Sequence, residues 1–296
     1  MTKFIYSDTY KVSLGEKHRF PMEKYRLLRE SLIENAIVCK SQLEESKPIE
    51  VELLYLAHDQ EYVDQIINLS LGRKESRKIG LPLTNEMVIR TRASIGASVR
   101  ASELALEHGV SAALSSGTHH AHYDSGEGYC FFNDFAVISR LNRDKKVLII
   151  DLDVHQGNGN ASILNEDKNV LIFDMFCAEN YPYRKVETHI NIPVPKNSED
   201  GLYLELLNKE LKTIDVSSFD LILYQAGVDI LSHDHLGLLN ISHDGVLERD
   251  KIIFDLAKKH GVPISFVIGG GYAKNISETV SAYVNTFKAA KNIFKF

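Results

Sequence analysis

The chain has 296 residues, is 44% hydrophobic and 25% charged, and carries a formal net charge of −6. That length suits one large α/β domain or two smaller ones, and the acidic balance excludes a basic nucleic-acid-binding face as its main business. Three cysteines (Cys39, Cys130, Cys177) without paired spacing exclude a disulfide framework; with no apolar run of membrane length and no signal-peptide core, the expectation is a cytoplasmic protein without membrane association.

The elements follow in order. Phe4–Tyr6 predicts a short strand. A helix is expected from Pro21, a residue suited to a first turn, to about Val38. Pro48 marks a turn, and the apolar run from Val51 to Leu56 predicts a second strand. His58 to Leu71 reads as a helix, and the charged stretch 72–82 as a solvated loop. Thr84 is placed to cap a long helix over Asn85 to His108, rich in small residues, with Gly109 as its stop. A strand is expected over Val110 to Ser115, and a helix over Phe131 to Leu141. Further on come strands at Asn169 to Met175, Asp220 to Ala226 and Pro263 to Ile268. Helices are expected at Glu199 to Ile214, Asp244 to His260 and roughly 273–292. Strands alternating with helices imply a single α/β domain over 1–296, its central, mostly parallel sheet flanked by helices on both faces.

The stretch from Val147 to Gly159 organises the rest. Its apolar start marks a strand buried on both faces. Asp151, Asp153 and His155 then occupy alternate positions at the strand's end, so their side chains leave on one side. A helix continuing from Asn160 to Leu164 is expected after the glycine turn. Ligands of open α/β sheets sit beyond the carboxyl ends of strands, and every other polar cluster also follows an apolar strand. These are Gly117 to His122 with Gly126 to Cys130, then Gly227 to Asp229, then Gly269 to Tyr272. Asp153, His155 and Asp229 make a one-nitrogen, two-oxygen set suited to catalytic zinc with an open position. The His119 and His120 pair supplies a base able to move a proton near neutral pH. Tyr272, on a glycine loop, can donate to a developing oxyanion. Together these describe metal-assisted amide hydrolysis.

These residues resemble the zinc-dependent histone deacetylases of the arginase/deacetylase fold. The resemblance rests on His119-His120, Gly128 to Cys130 with Asn133 and Asp134, Asp151 to Gly159, Ala226 to Asp229 with Asp234 to Gly237, and Gly270 to Tyr272, in the family's order over nearly the whole chain. The compact length, the run His155 to Gly159 and the run His18 to Met22 look most like class IV members and their bacterial relatives. The resemblance implies Asp153, His155 and Asp229 as zinc ligands and His120 as general acid/base. It makes His119 the partner held by Asp151, and Tyr272 the residue that polarises the carbonyl. Gly128 would offer its carbonyl to the substrate amide, while Tyr129, Tyr181 and Leu236 would wall the tunnel. Arg19 would lie beneath the zinc. A structural potassium ion is implied near Asp151, Asp153 and His155, completed by Asp174 and the Met175 carbonyl.

Two departures stand out. Asn158 replaces the aspartate that class I members set against the second histidine, and a neutral partner would orient His120 without raising its pKa. Tyr129 replaces the usual tunnel phenylalanine. His122 reads as a loop residue. The implied activity is removal of acetyl or longer acyl groups from lysine in a protein or peptide, without a nucleic-acid partner. Class IV relatives are associated with long fatty-acyl groups, which would require an apolar cavity beyond the zinc. The alternative is deacetylation of small amines such as acetylpolyamines, for which Glu127 is the candidate acidic gate. A non-catalytic module and a dinuclear arginase-like enzyme fit less well.

Overall fold

The computed structural model describes residues 1–15 and 18–296. Its strands are β1 (Phe4–Tyr6), β2 (Leu43–Glu45), β3 (Val110–Ala113), β4 (Val147–Asp151), β5 (Val170–Cys177), β6 (Ile190–Val194), β7 (Leu221–Gln225) and β8 (Ile264–Val267). They form one eight-stranded sheet in the order β2-β1-β3-β8-β7-β4-β5-β6, with every neighbouring pair parallel. All residues of β3, β4, β7 and β8 are buried, as strands covered on both faces must be.

The helices are α1 (Lys24–Glu34), α2 (Val51–Leu54), α3 (Gln60–Ile67), α4 (Arg73–Ile79), α5 (Asn85–His108), α6 (Asp134–Leu141), α7 (Asn158–Leu164), α8 (Asp200–Leu211), α9 (His243–His260) and α10 (Ile276–Phe294). Helix α5 has the expected cap and stop. Thr84 accepts from the Met87 amide, and Gly109 closes the helix at φ 87°. Its buried alanines and serines let it lie close against β3, β8 and β1. Helices α9 and α10 pack on each other, and α10 also meets α1.

Three expectations need correction. The run after Pro48 forms one helical turn rather than a strand, with Leu54 buried and Glu52 exposed; a short apolar run cannot distinguish the two. The actual second strand is Leu43–Glu45, an edge segment whose Leu-Glu-Glu sequence carries no strand signal. The charged stretch 72–82 is mostly helical. Arg, Lys and Glu favour helix, Ile79 anchors the turn inward, and Gly80 ends it at φ 77°. Smaller differences are boundaries: α1 stops at Glu34, with left-handed Ala36 just beyond, and α6 waits for Asn133 as its cap. Strand β6, unassigned from sequence, contains Pro193, which an edge strand tolerates.

Candidate active site

Four adjacent strands, β3, β8, β7 and β4, deliver the polar clusters to one end of the sheet. Beyond β4, the Asp153 carboxylate accepts from the His155 amide at 3.0 Å and, through its other oxygen, from the Gly270 amide at 2.8 Å. Beyond β7, Asp229 Oδ1 accepts from the Val154 amide at 3.0 Å. Asp153, His155 and Asp229 are all buried, and one ligand atom from each lies within 4.8 Å of the others. His155 Nδ1 stands 3.1 Å from Asp153 Oδ1 and 3.2 Å from Asp229 Oδ2. Gly270 has no alternative here, because a Cβ would collide with Asp229 Oδ2.

The donor set fits a divalent cation. Two buried carboxylates face each other, and Asp229 Oδ2 has no hydrogen-bond partner. Burial, then the charge of Asp153, pushes the Asp229 carboxyl up to about 7. An ion would relieve both penalties. One imidazole and two carboxylates form a three-ligand set of the kind catalytic zinc sites use.

The two histidines sit beside this set with different partners. His119 Nδ1 lies 2.8 Å from Asp151 Oδ2, and His120 Nδ1 lies 2.7 Å from Asn158 Oδ1. Burial alone would lower His119, but Asp151 and then Asp153 hold it up at about 9. Burial, followed by the charges of His119 and His155, pushes His120 well below its ordinary value. The carboxylates beside His119 thus favour its charged form, and the surroundings of His120 favour its neutral form. Asp134 fixes the loop that carries them, accepting from the Gly117 and Thr118 amides at 3.0 Å each.

Tyr272 faces the same space. Burial, then the Asp229 and Asp153 charges, raises its phenol well above the usual range, so it stays a donor. Its amide donates to Asp234 Oδ2 at 2.5 Å. A cavity of about 390 Å³ leads outward, lined by Gly128, Tyr129, Tyr181, Leu236 and Tyr272, with His120 and His155 at its base. Gly128 has φ 55°, and a Cβ there would meet the His120 ring at 2.5 Å. Asn180 Nδ2 ties one wall to the Leu236 carbonyl at 2.8 Å.

A histone deacetylase domain model matches residues 18–287. The chain belongs to the histone deacetylase family. An uncharacterized protein of Picosynechococcus sp. is 35% identical over 98% of each chain. Histone deacetylase 2 of Arabidopsis thaliana is 27% identical, covering 94% of this chain and 76% of its own. The structure of acetylpolyamine aminohydrolase from Burkholderia pseudomallei superposes with a TM-score of 0.80 at 16% identity, covering 99% of both chains. The fold is therefore the arginase/deacetylase fold expected from the motifs.

Within this histone deacetylase domain, one expected placement is corrected. Arg19 is exposed rather than beneath the ion site. The arginine bordering the inner cavity is Arg90 of α5, buried against Phe20 and Tyr25. Arg19 lies in a loop whose buried neighbour Phe20 takes the inward position, so the charged side chain turns out. No local signal separates Arg90 from Arg92 and Arg100 of the same helix. Asp151 and Asp174 sit side by side in the β4–β5 register, both fully buried. Asp174 Oδ2 accepts from the Gly157 amide at 3.0 Å, while Oδ1 has no partner. Met175 follows, buried in β5.

Two buried cations behind the site were not singled out in the sequence. Lys24 Nζ donates to the Gly269 carbonyl at 3.0 Å and lies 5.0 Å from the Tyr272 ring centroid, bracing the glycine loop. Arg249 of α9 is fully buried and donates to the carbonyls of Leu152 and Gly227, at 3.2 and 2.5 Å. It thereby clamps the two turns that carry Asp153 and Asp229. Both residues lie in helices and act on loops far away in sequence, so no local pattern reveals them.

Proposed function

We propose that this protein is a zinc-dependent deacylase that hydrolyses the side-chain amide of acetyl-lysine in peptides or proteins. The observation that carries the reading is the convergence of Asp153, His155 and Asp229 with Tyr272, His119 backed by Asp151 and His120 backed by Asn158, at one end of the sheet. Zinc on those three ligands would polarise the acyl carbonyl and lower the pKa of a water molecule. Tyr129 and Tyr181 clasp the lysine methylenes, and the Gly128 carbonyl is available to the substrate amide. His120 Nε2 takes a proton from the attacking water and returns it to the departing amine. His119 and the Tyr272 hydroxyl stabilise the negative charge that develops on the carbonyl oxygen. Asp174 and the Met175 carbonyl, near Asp151, Asp153 and His155, would hold a potassium ion, whose charge would offset the adjoining buried carboxylates and engage the unpartnered Asp174 Oδ1.

The space beside the ion site supports a short acyl group as substrate. The inner cavity is only about 40 Å³ and is lined in part by Ser94, Ser116, Thr118 and Arg90. That is room for roughly three water molecules, suited to an acetyl group and too small for a fatty chain. Peptides carrying acetyl-, octanoyl- and myristoyl-lysine should be turned over in falling order of kcat/KM, with acetyl ahead of myristoyl by at least about tenfold. Myristoyl turnover equal to or above acetyl would refute the short-acyl reading, and no turnover of any peptide by zinc-loaded protein would refute the activity.

A second reading, deacetylation of a small polyamine, has the fold of the aminohydrolase behind it. Charge argues against it. Among the described residues lining the outer cavity, Lys78 is the charged one apart from histidines, and none is a carboxylate. A polycation would meet like charge at the mouth. Acetylspermidine should accordingly show a kcat/KM well below that of an acetyl-lysine peptide in a competition assay; the reverse ranking would favour the polyamine substrate.

A further inference from the structure

The two histidines have unlike supports: Asp151 stands behind His119, and the neutral Asn158 behind His120. The second chain of bonds does not stop at Asn158. Its Nδ2 donates to Glu127 Oε1 at 2.6 Å, while its Oδ1 faces His120 Nδ1 at 2.7 Å. Glu127 belongs to the tight turn bridging Glu127 and Cys130, the turn that also presses Gly128 against His120. His122 Nε2 lies 3.5 Å from the same carboxylate oxygen, with its Nδ1 2.7 Å from Ser162 Oγ. His122, then Asn158 and Tyr181, overcome partial burial to hold the Glu127 carboxyl at about 2, so it is ionised.

Donor and acceptor logic then runs one way. An ionised carboxylate only accepts, so the Asn158 amide must present Nδ2 to Glu127 and Oδ1 to His120. An imidazole facing a carbonyl oxygen must carry its proton on Nδ1, leaving Nε2 as a lone pair toward the ion site. The carboxylate also polarises the amide, making Oδ1 a stronger acceptor.

We propose that Glu127 is a positioning residue for the base: through the Asn158 amide it fixes the orientation and tautomer of His120 and lends it a negative charge. The kinetic part of this proposal rests on the deacylase reading. The tautomer part does not.

Glu127→Gln tests both. Glutamine keeps the shape of glutamate but can donate as well as accept, so Asn158 is free to flip and His120 to take the wrong tautomer. In full-length, zinc-loaded protein, kcat on the acetyl-lysine peptide should drop about tenfold or more with KM within about twofold. The ¹⁵N imidazole signals of His120 should move from an unprotonated toward a protonated Nε2. Asn158→Asp alone should also be slow, because it sets two carboxylates against each other. The double variant Glu127→Gln, Asn158→Asp should recover to within about threefold of wild type, since the charge and the donor have exchanged places. Additive losses in the double variant, or unchanged His120 signals in Glu127→Gln, would overturn the proposal. Should Glu127→Gln not fold in a thermal melt, the double variant decides alone: near-wild-type kcat supports the proposal and a slow enzyme overturns it. If wild type itself turns over no acyl-lysine peptide, the deacylase reading fails while the imidazole signals still decide the role of Glu127.

Discussion

Replacing Asp229 by asparagine should lower kcat on the acetyl-lysine peptide by about 10³-fold or more and leave the purified protein with little bound zinc. Asparagine preserves Oδ1 for the Val154 amide, so the turn beyond β7 keeps its bond. What disappears is one of two anionic ligands and the oxygen, Oδ2, that has no other partner. An ion's stabilisation of developing charge amounts to several kcal/mol, and about 4 kcal/mol corresponds to three orders of magnitude in rate. The fold itself should tolerate the change. Without metal, the variant should melt no lower than metal-free wild type, because one buried like-charge contact is gone. Chelation of wild type followed by zinc addition should reproduce the loss and restore activity. Metal analysis and steady-state rates decide the matter, and a variant that retains both stoichiometric zinc and activity within tenfold of wild type would remove Asp229 from the ligand set.

The second large effect concerns stability. Arg249→Met should cost about 3–5 kcal/mol in urea unfolding, the penalty for leaving a buried charge without its partner. Asp250 would be that charge. It accepts from Arg249 Nε at 2.9 Å and from the Tyr224 and Thr286 hydroxyls at 2.5 and 2.6 Å, in a fully buried setting. The carbonyls of Leu152, Ala226 and Gly227 would lose their donor as well. Adding Asp250→Asn should recover part of the loss, because the uncompensated charge goes while the hydroxyl partners remain. A single variant as stable as wild type would mean that Arg249 is incidental to the two turns it touches.

How much of this was readable beforehand depended on where each determinant lies along the chain. Helix α5 was legible because its cap, its small-residue face and its stop are all local. The site was legible for a different reason: polar clusters follow apolar strands, and parallel strands bring those ends together, although β4 stops at Asp151 and leaves Asp153 and His155 in the turn beyond it rather than in a period-two strand. What failed was whatever tertiary context decides. The run after Pro48 and the charged stretch before Gly80 take helical form because one buried residue in each, Leu54 and Ile79, anchors a turn. Arg19, expected beneath the zinc, is exposed while Arg90 borders the inner cavity, because burial is set by packing between distant segments, not by the motif around either one. Glu127 offers the clearest case. It stood in the sequence as a potential gate, and its bond to Asn158 becomes visible only once the chain is folded.

The sheet order carries a consequence for how the molecule is made. Strand β8, the last of the eight to leave the ribosome, lies between β3 and β7 and pairs with both. Until it emerges, two buried, apolar strands have no neighbour on their inner edges, the condition that invites pairing with other chains. Pairing at such long sequence separation is intrinsically slow. A nascent chain halted before Ile264 would thus lack Tyr272 and the Gly270 amide and would also leave the edges of β3 and β7 unpaired, so the last strand closes the sheet and completes the site together.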